Sequence, residues 1–496
     1  MSQEGQKYMY HEHPLKIFRH AVKNIWLLIF PALRGIRSFS LDFDAFYSWI
    51  TGAWFDLLIL AVILGFGYFR WLFTWYRYDK NHIRLLNGIF VKTECSIPYN
   101  NISAVTAQHS FYLRPFKAVK VNIDTCAGNF GTVDMSLLVK RRDFKTLQKR
   151  LPEMKKEGRK IFEFKPKWYT IIFFSFVFSS SLSGVLYLAT LIFQAGRIVS
   201  DLMQTELSNV YEIANNVSEN VSTKVPVEIP PIALILGFLV VGTWLFSFIS
   251  NILRYSGFIM KKDVHILRVV SGAITKRVYH IIPKKVNYVD LRQSLIMKIF
   301  SISSVNISCS GYGRSKYELP VLLPILTKDQ TNKALDMLDF NKYLVNRSVK
   351  PERMSFMSYI GVPTFFAVSI PVVSFIISKI FPGIAHVLPS IAFMAEIPFI
   401  WLIIVKIVAH FTTGITVEDD FCCIRYSRFY AFHTILADKS KLVKIQVFQD
   451  VIDEKIGRCR LDFYFNSELT KVNKVKGLKI KDAKKIIEKF EQQNEI

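Results

Sequence analysis

Six basic side chains crowd the stretch "PEMKKEGRKIFEFKPKW" from Pro152 to Trp168: Lys155, Lys156, Arg159, Lys160, Lys165 and Lys167. Set directly before an apolar run, each gains about 1 kcal/mol beside an anionic leaflet, so the six are candidate lipid-binding residues. Ordinary positive-inside flanking of a span uses the same residues with no lipid specificity. A second candidate is Glu396, the acidic residue inside the last apolar run, seven residues after Pro389. A carboxylate within a bilayer is costly unless paired, hydrated or interfacial, so Glu396 is a candidate for handling a peptide, an ion or a proton, with a structural carboxylate as the plainer alternative. Lys406 in the same run is expected to reach the interface. Other chemistry lacks residues to carry it: no nucleophile elbow, P-loop, H-E-x-x-H or paired-cysteine spacing occurs, and "SGYGRSK" from Ser310 reads as a turn. No catalytic residue, metal or cofactor is expected, and the protein is expected not to be an enzyme.

The elements that would position these residues begin with long apolar runs: Trp49–Phe73, Trp168–Phe193, Ile229–Leu253, Phe356–Ile380 and Ala385–Phe411. Each has the roughly 20 residues that a bilayer-crossing helix needs. Ile17–Phe39, interrupted by Arg19, Lys23, Arg34 and Arg37, is read as a sixth. Charge sorts between them: 76–167 holds 19 Lys/Arg against 8 Asp/Glu and 254–340 holds 14 against 6, whereas 194–228 holds 2 against 5. The basic regions and both termini are therefore expected in the cytoplasm, and the acidic loop outside. The net charge of +25 is then mostly topology, and its dispersal over several tethered regions argues against nucleic acid. The cysteines, with no C-x-x-C spacing, read as reduced thiols.

The chain repeats itself. After three of the runs come "YRYDKNHIRLLNGIF", "LRYSGFIMKKDVHILRVVSGAI" and "HFTTGITVEDDFCCIRYSRFYAF", each a strand, a charged turn (Asp79-Lys80-Asn81; Lys261-Lys262-Asp263; Glu418-Asp419-Asp420) and a second strand. "CSIPYNNISAV" and "HIIPKKVNYV" align through Ile-Pro, and alternating strands follow. Each copy closes with a basic residue and an Asp opening an amphipathic helix: Arg142-Asp143, Lys328-Asp329 and Lys481-Asp482. Of the three charged turns only the second has the charge to attract a phosphate, and a plain hairpin serves all three.

This pattern resembles the bacterial pleckstrin-homology family of the bPH2 type, in particular its multi-span membrane proteins with three such domains. The resemblance implies an α+β membrane protein with about six transmembrane helices in three hairpins, each followed by a cytoplasmic PH-like β-domain with a C-terminal helix. The expected division is 1–73 (hairpin 1), 74–152 (PH-like), 153–253 (polybasic linker and hairpin 2), 254–340 (PH-like), 341–411 (hairpin 3) and 412–496 (PH-like). It also implies an envelope-associated role, some members being linked to protection against membrane-active antimicrobial peptides, and the expected function is a non-enzymatic scaffold of the bacterial plasma membrane in that defence. The expected partners are anionic inner-leaflet lipids at the polybasic linker and, as the resemblance implies, a small one-domain membrane protein of the same kind. The alternative is a transporter or peptide exporter built on the helix bundle, with Glu396 in its path.

Overall fold

A computed structural model describes residues 9–22, 54–88, 91–125, 133–150, 162–178, 212, 231–309, 322–385, 388–466 and 472–491. They belong to two compact units, Met1–Lys165 with Gly257–Lys285 and Cys309–Ser315, and Pro166–Ser256 with Val286–Ser308 and Lys316–Ile496.

In the first unit, helix α1 (Leu15–Val22) follows a short strand β1 (Tyr10–His11), and the apolar helix α2 (Trp54–Leu72) hands over within three residues to β2 (Trp75–Tyr78). With β3 (His82–Asn87) and β4 (Thr93–Pro98) these strands form an antiparallel sheet in the order β1-β2-β3-β4. Alternation places Tyr76, Tyr78, Ile83 and Ile97 on its buried face. The chain turns a corner at Tyr99–Asn101 and enters β5 (Ile102–His109), β6 (Ala118–Thr125) and β7 (Met135–Lys140). Helix α3 (Arg141–Arg150) follows without a break, and its Phe144 and Leu147 close the core over Val119, Val121 and Ile123.

The second sheet of this first block is not its own. Strand β5 pairs on its outer edge with β11 (Lys276–Ile281) of the second copy, which continues into β10 (Leu267–Ser271), β9 (Ile259–Lys262) and β8 (Phe162–Phe164), seven strands in all. Val278 belongs to the second copy by sequence and to the first copy's core by packing, 6% exposed.

The second unit repeats the arrangement. Strands β12 (Val286–Ser294), β13 (Ile302–Cys309) and β14 (Leu323–Thr327) of the second copy join β15 (Gly414–Val417), β16 (Phe421–Arg428) and β17 (Ala431–Asp438) of the third through the pair β12·β17. Tyr288 crosses into the third copy's core. Strands β18 (Leu442–Phe448), β19 (Arg458–Phe465) and β20 (Asn473–Lys479) form a last sheet of three. This unit also holds the helices α4 (Trp168–Phe178), α5 (Pro231–Tyr255), α6 (Leu295–Ile299), α7 (Lys328–Leu338), α8 (Phe356–Ile380), α9 (Leu388–Thr412), α10 (Val451–Ile456) and α11 (Ile480–Glu491). Helices α7 and α11 open directly behind β14 and β20, α7 with a capping box between Thr327 and Gln330.

The copies agree in detail. Counting from the corners at Tyr99–Asn101, Pro283–Lys285 and Lys439–Lys441, the pairs Ala104↔Ile281 and Tyr288↔Ala437 occupy the same position, so both junctions share one register. The loop after the strand that follows the corner opens at Ser110, Ser294 or Asp450, each the N-cap of a short helix. It ends seven residues later in a left-handed residue, Lys117, Ser301 or Gly457. The Ile-Pro alignment of the first two copies is therefore one residue out of step, since Pro98 precedes its corner while Pro283 begins one.

Other expectations change. The second turn lies at Asp263-Val264-His265, where Asp263 N donates to Ile266 O (2.9 Å); Lys261 and Lys262 are in strand β9. The first residues of the expected span Ile17–Phe39, 17–22, belong to the short amphipathic α1, whose Leu15 packs against Leu113, Ala118 and Leu138, while 23–39 lie outside the described residues. The described residues do not reach six spans, and 49–53 and 179–193 of two expected runs, with the acidic loop 194–228 apart from residue 212, lie outside them. Among the described residues two helical stretches, Arg353–Ile380 and Ile391–Thr412, are long and apolar enough to cross a membrane, and Ala61–Leu72 and Leu239–Tyr255 are shorter apolar helices.

The shared sheet makes two expectations measurable. Val278→Asp should destabilise the first unit by on the order of 3 kcal/mol, because the charge enters a packed core; protease cleavage within 74–150 of the full chain should rise as much as for Val121→Asp. Burial, reinforced by Arg268, pushes the His280 imidazole of β11 down to about 3. The unfolded imidazole titrates near 6.5, so this stability is complete above about pH 6.5 and is lost as pH falls toward 3. Comparing proteolysis at pH 7 and pH 5, His280→Gln should show the smaller acid-induced rise.

Candidate membrane-facing surface

The charged turns offer no phosphate site. In the first, the carboxylate of Asp79 collects Arg77 Nε (2.6 Å), His82 Nε2 (2.7 Å) and Arg84 Nε (3.0 Å), and Arg84 also reaches Glu94 (3.1 Å). In the second block Lys261 pairs with Glu163 (3.1 Å), and the third turn is acidic. An open groove beside β4 is lined by Cys95, Ile97, Asn101, Thr125, Asp134 and Lys285 among others. Its charges are satisfied internally: Lys285 Nζ donates to Asn100 O (2.5 Å) and Ile102 O (2.9 Å), and Asp134 accepts from Thr125 N (2.7 Å) and Oγ1 (2.8 Å). Among the described residues no His/Cys/Asp/Glu group could hold a metal ion.

What the second unit does build is a grip on apolar helices. Lys406 Nζ of α9 donates to Ser427 Oγ (3.0 Å) at the end of β16, and Tyr430 Oη in the following turn donates to Pro398 O (3.2 Å), further along the same helix. Arg347 Nη1 donates to the Phe411 and Thr413 carbonyls (2.6 and 3.0 Å) where α9 passes into β15. Leu295 of α6 packs with Tyr359, Val405, Ala409 and Phe432, and Phe300 lies edge-on to Phe173 of α4 (5.9 Å between rings). One end of the six-stranded sheet thus rests on the sides of three apolar helices.

The sequence-derived candidates fall unevenly on this surface. Lys155, Lys156, Arg159 and Lys160 lie outside the described residues. Lys165 and Lys167 are exposed, with Lys167 over the Tyr169 ring (5.7 Å) beside an exposed Trp168. Between the two groups, Phe162–Phe164 is strand β8, so the linker is partly an edge of the seven-stranded sheet. Glu396 is half-buried in α9, two residues from the carbonyl that Tyr430 holds, and has no ion-pair partner among the described residues. Sequence reasoning missed Tyr430 and Arg347. The aromatic pair Phe429-Tyr430 in a turn was a usable signal for the first, while nothing local marks the second.

Two stretches of the chain match the bacterial PH domain. They are residues 32–155 and 217–338, which take in β2 to β7 with α3, and β9 to β14 with α7. The third copy, β15 to β20 with α11, has the same order of elements outside the matched PH-domain stretches. No curated protein and no solved structure matches the chain.

Neutralisation by Asp79 is testable. The full chain should bind no soluble inositol phosphate, and Asp79→Asn, which strips Arg77 and Arg84 of their shared carboxylate, should gain weak, salt-sensitive binding in titration calorimetry.

Proposed function

We propose that the protein is a non-enzymatic scaffold of the bacterial plasma membrane, with its PH domains and the PH-like third block on the cytoplasmic side. In this reading it organises anionic lipids and a small one-domain membrane protein of the same kind in defence against membrane-active peptides. The observation that carries it is the grip of a PH-like sheet on apolar helices, through Lys406–Ser427 and Tyr430–Pro398, with no linker between strand and helix. A sheet fixed in this way moves with the bilayer and presents its remaining surface to lipid or protein, which is a scaffold's geometry. The charge asymmetry of the inter-span regions supports the cytoplasmic assignment. Reporters near Gly128, Gly311 and Asn466 should therefore be intracellular, and one near Asn215 extracytoplasmic.

The transporter reading depends on Glu396 as a coupling group. Its place near Pro398, within reach of the hairpin at Tyr430, supports an interfacial carboxylate more than one in mid-membrane. With peptide survival as the measurement at matched membrane levels, loss of the gene should sensitise the cell, Glu396→Gln should be mild, and Val121→Asp, a charge in the first unit's core, should be disabling. A dead Glu396→Gln beside a silent Val121→Asp would establish the transporter instead.

A further inference from the structure

We propose that the loop Ser110–Lys117 and the neighbouring turn Gly272–Thr275 form an aromatic wedge that docks the first unit on an anionic lipid interface. The proposal rests on the membrane reading above, and it concerns residues outside the polybasic linker.

The loop joins β5 to β6, and because β5 pairs with β11, the turn before β11 lies beside it: Arg114 Nη2 donates to the carbonyls of Ala273 (2.8 Å) and Ile274 (3.1 Å). Of its apolar side chains only Leu113 turns inward. Phe111, Tyr112, Phe116 and Ile274 are 63%, 60%, 56% and 48% exposed, large apolar side chains gathered at one end of a sheet. Isolated exposed apolar residues are ordinary, but a cluster of this kind marks a contact surface.

Two observations identify the occupant as lipid. The first is position. Leu113 packs on Leu15 of α1, and the Phe116 carbonyl lies 3.2 Å from His13 Nε2. Just before α1, Glu12 O accepts from Trp71 Nε1 (2.8 Å) and His11 stacks on the same indole, which belongs to the last turn of the apolar α2. The loop is thus one short helix away from the end of an apolar helix, and that helix, α1, exposes Phe18 and Arg19. The repeat gives the same answer independently. The second copy's loop, with the same cap and the same left-handed last residue, sets Leu295 against α8 and α9 and Phe300 against α4.

The second observation is charge. Arg19, Arg114, Lys117 and Lys276 are exposed around the wedge, and none of the segments 13–22, 110–117 and 272–276 contains an acidic residue. An amphipathic surface of aromatic tips in a basic rim suits the headgroup boundary of an anionic leaflet. The third copy's loop carries Asp453 and Glu454, so the wedge is a property of the first.

The experiment uses the full chain reconstituted in phosphatidylcholine vesicles containing phosphatidylglycerol and a shallow nitroxide lipid. An environment-sensitive thiol label is placed at Tyr112→Cys, with Phe116→Cys as the second variant should the first not fold, and the parent chain supplies the background from native thiols. Lys80→Cys, at the turn held to the corner at the opposite end of β5 by Tyr99 N–Asn81 O (2.9 Å), is the water reference, and Phe375→Cys in α8 reports the span. Quenching several-fold stronger at 112 or 116 than at 80, and weaker when phosphatidylglycerol is omitted, is the expected result. Quenching at 375 with 112 and 116 no different from 80 overturns the wedge and leaves the membrane reading intact. Absence of quenching at 375 removes both. A label at 112 shielded from water yet untouched by the nitroxide means that protein covers the surface, which also overturns the proposal.

Discussion

The backbone ladder between consecutive copies is the constraint on which the rest depends. In a PH-like block the strand that follows the corner, such as β5, has an outer edge that would be a row of unpaired donors and acceptors. Here the strand before the corner of the next copy fills it, β11 on β5 and β17 on β12, in one register. Side chains then alternate between two cores, so Val278 serves the first copy and Tyr288 the third. A repeat of sequence has become a structure whose compact units cut across the repeats, with the division at Lys285 and Val286.

The ends of this series carry residues that suit ends. At the positions where β11 has Val278 and His280, and β17 has Thr434 and Leu436, the outermost strand β4 has Glu94 and Ser96, both exposed. At the position of Ala104 and Tyr288, the last free-edged strand β18 has the exposed Lys444. Terminal repeats need such polar faces to stay soluble.

Much of this was legible because local rules govern it. Strand alternation, the helices behind Arg142-Asp143 and Lys481-Asp482, and the span-to-strand handover depend on neighbouring residues. The sharing of sheets was not legible, because "ISAVTAQH" reads as the same buried strand whichever partner lies beside it. The second turn was misplaced because the paired lysines of "KKD" looked like turn residues, while the hydrogen bond that defines it comes from Asp263 to Ile266. Left-handed residues at Lys117 and Ser301 carry no glycine to announce them. Basic residues counted by sequence looked interchangeable. In the fold some, such as Arg77 and Arg84, are neutralised by one carboxylate, and others, such as Arg114 and Lys117, face outward.

The junction between β5 and β11 also sets an order in time. The partner of β5 lies about 170 residues further along, so at a synthesis rate of roughly 5–20 residues per second the strand waits on the order of ten to thirty seconds for it. An apolar stretch beginning at α4, and then the helix α5, must leave the ribosome within that interval. The nascent first block thus stays open-edged while the middle of the chain is still being made. A slow stretch of message in that region would prolong its exposure to chaperones, and to the identical edges of neighbouring nascent chains on the same polysome.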